Sequence, residues 1–144
     1  MTLEFLDHTA DIGIRIRARD AREFFAEALR GFNLILLGEE GIRRVRAQDR
    51  RAIELKCVDA ETLLVDFLNE LIYLFDSRYL IFDSLSIEEV DLEGAVAILR
   101  GELAGEVFDP DRHTMETEVK AATFHDLKIE RDKDGLTVDM IFDL

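Results

Sequence analysis

The stretch from Asp59 to Asp76, DAETLLVDFLNELIYLFD, carries Leu63, Leu64, Phe67, Leu68, Leu71, Ile72 and Phe75 along one broad stripe at helical spacing. A helix this apolar packs on a sheet or is substantially buried, so the chain must supply other elements to cover it. Asp59 is placed as its N-cap. A second amphipathic helix is expected from Asp20 to Leu37, where Phe24, Phe25, Ala28, Leu29, Phe32 and Leu36 recur with the same period. Asp20 and Glu23 form a D-x-x-E capping box, Gly31 marks close packing, and Gly38 supplies the stop.

The remaining patterns are those of strands. Ile12, Ile14 and Ile16 alternate with Gly13, Arg15 and Arg17, and Ile53, Leu55 and Cys57 alternate with Glu54 and Lys56. Further candidates are YLIFDSLSIEEVDLE, AVAILRGEL, TEVKAATF, LKIERD and LTVDMIFD, with DKDG as a hairpin turn between the last two. GEVFDPDRHTME holds the single proline and reads as a surface loop. Two helices among hairpin-connected strands imply an α+β fold, an antiparallel or mixed sheet with the helices packed on it. At 144 residues, without an internal repeat or linker, the chain is expected to be one domain over 1–144. Regular βαβ alternation, G-x-G-x-x-G and a P-loop are all missing from the sequence, which disfavours a doubly wound nucleotide-binding fold.

Thirty-two acidic residues against eighteen basic ones give a formal net charge of −14, which repels phosphate backbones and argues against strong direct nucleic-acid binding. The same excess favours a basic protein surface or a divalent cation as partner. A single cysteine rules out an internal disulfide. The start lacks a signal-peptide pattern and no apolar run is long enough for a bilayer, so a cytoplasmic location with no membrane partner is expected.

Catalytic patterns are sparse. His8, His113 and His125 lack zinc-ligand spacing, Cys57 lies on an apolar strand face as core filler, and there is no G-x-S-x-G elbow. Carboxylates remain. Asp11 opens one strand and Asp143 closes the last, on the face of Asp139 and Ile141 opposite to Val138, Met140 and Phe142. If those strands are neighbours, the two aspartates with the terminal carboxylate or a main-chain carbonyl of Leu144 make an all-oxygen set for calcium, magnesium or manganese. In so acidic a chain most such aspartate pairs are solvated surface, and spacing alone favours that reading of this one. Lys120, expected on a strand face with Glu118, Ala122 and Phe124, is either a solvent-facing lysine paired with an acid or a cation held beside the carboxylates to contact a phosphate or partner group.

DHTADIGI near the start, LLVDFLNELIYLFD followed by YLIF, the loop GEVFDPDRH, the segment TEVKAATFHDLKI and the final VDMIFDL occur in one order across nearly the whole chain. Together they resemble the archease family. The resemblance implies an accessory protein of the RtcB-type RNA ligase of tRNA splicing, and not an enzyme itself. It implies an activator that promotes guanylylation of the ligase's active-site histidine, allows multiple turnover and broadens nucleotide use. It also implies a divalent metal, calcium foremost, at Asp11, Asp143 and Leu144, a functionally sensitive Lys120, and His8 and Asp59 near the same site. Two other readings fit the acidic residues: a metal-dependent phosphohydrolase using His8 or Lys120, and a general chaperone or modulator of nucleic-acid-processing proteins.

Overall fold

Residues 2–6 and 11–144 are described by the computed structural model, in the order β1 (Thr2–Leu6), β2 (Asp11–Ala18), α1 (Ala21–Arg43), β3 (Asp49–Cys57), α2 (Ala60–Arg78), β4 (Leu80–Asp91), β5 (Ala97–Val107), β6 (Ala121–Thr123), β7 (Glu130–Asp132) and β8 (Gly135–Asp143). Asp59 caps α2 as expected, its Oδ1 accepting the Thr62 N–H at 2.8 Å. Leu63, Leu64, Val65, Phe67, Leu68, Leu71, Ile72 and Leu74 are all buried. Plotted at 100° per residue these positions cover about 200° of the helix, roughly twice the stripe that one packing surface requires.

Two sheets meet that demand. The first has the order β1-β2-β8-β6 with β7 also on β8, the second the order β3-β5-β4, and every pairing in both is antiparallel. Both helices touch strands of both sheets, so they form the middle of three layers. The α+β class holds, but the single sheet expected from the pattern is two, because a helix buried on both sides needs a sheet on each. The first sheet contributes Ile14, Ile16, Val138, Met140 and Phe142 to the core, and the second contributes Ile53, Leu99, Leu103 and Ile81.

Gly31 is a point of close packing, as its position in an apolar helix suggested: a Cβ there would lie 2.5 Å from Ile14 Cδ1. Gly38 also ends the main run of α1, with φ 76 and ψ 169, although one further helical turn follows before the cap at Arg44. The Glu116 carboxylate lies over this kink.

Three strand boundaries differ from expectation. Of TEVKAATF only Ala121–Thr123 is strand, because Ala121 already pairs with Asp143 at the end of β8 and the residues before it run out of ladder. Of LKIERD only Glu130–Asp132 pairs, the Ile129 N–H being taken by Glu61 Oε2 at 3.1 Å instead. β1 was not expected; it is an edge strand whose Leu3 and Phe5 sit opposite Ile16 and Ile14. Among the described residues no helix is long and apolar enough to cross a membrane.

Gly38→Ala is expected to destabilise the protein by about 1–2 kcal/mol, since it forces a Cβ into positive φ and against the Glu116 carboxylate. Urea unfolding with an unchanged slope would measure it.

Candidate functional site

The outer face of the β2–β8 pair is a ladder of charges. Directly opposed residues on antiparallel strands share a face, and here Arg15 opposes Asp139 while Asp11 opposes Asp143. At the first of these steps Arg15 Nε and Nη2 donate to the two Asp139 oxygens at 2.6 and 2.9 Å, a forked ion pair. The hydrogen bond from Arg15 holds the Asp139 carboxyl below its ordinary value despite partial burial. Arg17 pairs with Glu4 on the neighbouring strand. At the last step the pattern changes, and two aspartates, Asp11 and Asp143, stand opposite each other in the register at the sheet's end.

The strands carrying Asp11 and Asp143 are thus neighbours, and in register. Leu144 follows directly, 37% exposed. Lys120 is brought to the same end by its main chain, whose N–H donates to the Asp143 carbonyl at 2.9 Å. It is exposed and precedes β6, so its expected placement on a strand face with Glu118, Ala122 and Phe124 does not hold. His8 lies outside the described residues.

Asp59 is elsewhere. Glu61 in the first turn of α2 meets Ile129, level with the start of β8, whereas Asn69 exchanges hydrogen bonds of 2.8 and 3.2 Å with Ala122, which pairs with Phe142. α2 therefore runs in the direction of β8, which leaves Asp59 at the opposite end from Asp143. Its lowered carboxyl pKa comes from the Thr62 hydrogen bonds, the signature of a helix cap. Cys57 donates to Asp66 Oδ2 at 3.2 Å, and burial followed by that contact pushes its thiol up to about 11, so it stays protonated and inert.

The segment 108–120 crosses the acidic end and ties its parts together. Its Phe108 N–H donates to the Tyr79 carbonyl at 2.6 Å, its Glu116 N–H to the Leu36 carbonyl at 2.8 Å, and its Lys120 N–H to Asp143. A buried polar network fixes it. Glu106, 4% exposed at the end of β5, accepts from the Arg46 N–H at 2.6 Å and from Arg112, and lies 3.2 Å from His113 Nε2. His113 Nδ1 accepts the Asp109 N–H at 2.8 Å, which assigns the neutral ring's proton to Nε2 and directs it at Glu106. Burial pushes the Glu106 carboxyl up, but the Arg46 N–H, Arg112 and His113 together outweigh it and leave the pKa lowered. Sequence reasoning set His113 aside as a zinc ligand and did not single out Glu106 or Arg112. The available signal was their clustering in GEVFDPDRH.

Comparison with known proteins now places this geometry. The model of the Archease protein family (MTH1598/TM1083) matches residues 3–144. The chain belongs to the archease family. It is 42% identical to the protein archease of Pyrococcus furiosus over 133 residues, covering 92% of this chain and 90% of the relative. It is 34% identical to the protein archease of Methanosarcina acetivorans over 142 residues, covering 98% and 94%. The solution structure of Methanobacterium thermoautotrophicum protein 1598 matches with a TM-score of 0.79 at 29% identity, covering 99% of this chain and 98% of that one. The archease family is one of accessory proteins.

The donor chemistry at this archease-fold acidic end suits a hard divalent cation. Asp11 and Asp143 offer only oxygen donors. Among the described residues no group of three or more His, Cys, Asp or Glu side chains gathers.

Glu106→Ala is expected to cost about 3 kcal/mol at neutral pH, since it strands Arg112 and His113 without their acceptor. Because folding lowers the Glu106 pKa, its contribution is complete above the ordinary carboxylate range and is lost as pH falls through the folded value. The gap between variant and wild type, measured by urea unfolding at several pH values, should therefore narrow toward acid.

Proposed function

We propose that the chain activates an RtcB-type RNA ligase in the cytoplasm, promoting guanylylation of the ligase's active-site histidine, sustaining multiple turnover and broadening nucleotide use. The observation that carries this reading is the Asp11–Asp143 pair, in register at the end of an archease-family sheet. We assign Asp11, Asp143 and Leu144 as the ligands of a divalent cation, calcium foremost with magnesium or manganese as alternatives. When bound, that ion supplies a positive centre able to meet phosphate oxygens.

The protein's own residues do the rest. A chain of net charge −14 is steered toward the basic, RNA-binding cleft of a ligase, and its acidic end is the part able to enter or border it. Arg15 and Asp139 hold β2 and β8 in register two steps from the tip, fixing the spacing of the aspartates. Lys120, held at Asp143 through its main chain, provides a cation for a partner carboxylate or phosphate. Activation then follows if this end binds the ligase conformation competent for nucleotide transfer more tightly than the others. Direct contact with RNA is not part of the scheme.

Multiple-turnover ligation and guanylylation by a cognate RtcB-type ligase test this. Wild type should stimulate at catalytic amounts, and Asp11→Ala and Asp143→Ala should lose at least about tenfold of that stimulation while remaining folded. Equal stimulation by Asp11→Ala would sink the assignment.

A second measurement addresses the cation. Calcium titration should raise the wild-type Tm, whereas Asp143→Asn should respond little.

A further inference from the structure

The acidic end carries an apolar feature as well. Beyond Asn69, α2 continues for about 14 Å at 1.5 Å per residue, past the level of Asp143, and its last turn joins the 108–120 segment. Phe75, Tyr79, Phe108, Pro110 and Met115 there line a groove of about 430 Å³. Phe75 meets Tyr79 and Phe108 edge-on, with ring centroids 6.4 and 5.7 Å apart. Tyr79 is 60% exposed and Met115 43%.

Tyr79 is also held in an unusual way. It caps α2 with φ 58 and ψ 28, the left-handed conformation that most helices give to glycine at this point. A bulky aromatic accepts a steric cost there that glycine escapes. Its carbonyl accepts the Phe108 N–H, so the ring stands at the junction of helix and loop. An exposed aromatic in a strained backbone position is a common mark of a binding surface.

The surroundings specify the kind of occupant. The lining is almost wholly apolar, the Tyr79 hydroxyl being the one polar side-chain group among its residues, so the groove suits an apolar side chain presented by a protein. Asp76 lies one turn before Tyr79, and Asp111 follows Pro110; both are exposed. Glu116 and Glu118 continue the acidic run toward Asp143, while Arg112 is already engaged by buried Glu106. Arg78 is an exposed base beside these acids, and Arg44, whose carbonyl accepts from Arg112, is another. An apolar anchor within a basic segment is complementary to such a rim. The 108–120 segment connects the groove to the Asp143 end without a break, so one partner can span both.

We propose that the groove of Phe75, Tyr79, Phe108, Pro110 and Met115 is a second docking site, which receives an apolar side chain from a basic segment of the same ligase that the acidic tip engages. This inference rests on the ligase reading given above. The groove sets affinity, and the tip sets activation.

The test is equilibrium binding of the intact chain to the cognate RtcB-type ligase, together with stimulation at saturating protein. Tyr79→Asn/Met115→Ser removes both exposed anchors while giving the left-handed position a residue that accepts it. Binding should weaken about tenfold or more, with full stimulation recovered at saturation. Asp76→Lys/Asp111→Lys should weaken binding several-fold and flatten its salt dependence. Asp11→Ala should bind but fail to stimulate. Wild-type binding matched by Tyr79→Asn/Met115→Ser, with Asp11→Ala inactive, would overturn the groove and leave the ligase reading standing. No wild-type binding or stimulation would overturn both. A monomer–dimer equilibrium abolished by Tyr79→Asn/Met115→Ser, with ligase affinity unchanged, would make the groove a self-contact and overturn the proposal.

Discussion

Burial of α2 over about 200° of its surface is the constraint from which the architecture follows. A helix lying on one sheet leaves its other side to water, yet in α2 Val65 and Ile72 are buried about 180° round from Leu63 and Leu74, and only a narrow strip with Asp66, Tyr73 and Asp76 stays exposed. The second sheet exists to cover that other side. Once α2 and α1 fill a middle layer, their directions set what each end of the molecule holds. α2 runs with β8, so its C-terminal turn emerges where β8 ends in Asp143.

The acidic end is built by three means of different strength. Strand register brings Asp11 opposite Asp143, and no side-chain contact is needed for that, because the β2–β8 ladder and the Arg15–Asp139 fork hold it. Main-chain hydrogen bonds carry Tyr79, Leu36 and Asp143 to one segment. A buried charge network then prevents that segment from shifting: Glu106 satisfies Arg46, Arg112 and His113 at once, and any one of these left alone in the interior is costly. The rigidity suits a protein that acts by presenting a surface rather than by moving atoms of a substrate.

Much of this was legible. The two helices, their N-caps, the DKDG hairpin and the placing of the aspartates at strand ends rest on local periodicity and on residues whose conformational preference is strong. What escaped reading depended on distant partners. β1 is a short edge strand visible only once Ile14 and Ile16 are beside it, and 117–120 fails as strand only because β8 has ended. Asp59 shows the opposite error: its cap role is local and correct, but proximity to Asp143 depended on which way α2 runs.

The sequence by itself determined that the chain has two amphipathic helices among antiparallel strands, that its surface is strongly acidic, and that its aspartates sit at strand ends, since spacing and charge are properties of the chain alone. Tertiary structure alone decided that the sheet is two sheets, that Asp139 is neutralised by Arg15 while Asp143 faces Asp11, and that Glu106, Arg112 and His113 meet inside. The reason is range. Helix period and capping act over a few residues, whereas these pairings join positions up to 132 apart in sequence, Asp11 and Asp143, which only strand register brings opposite each other.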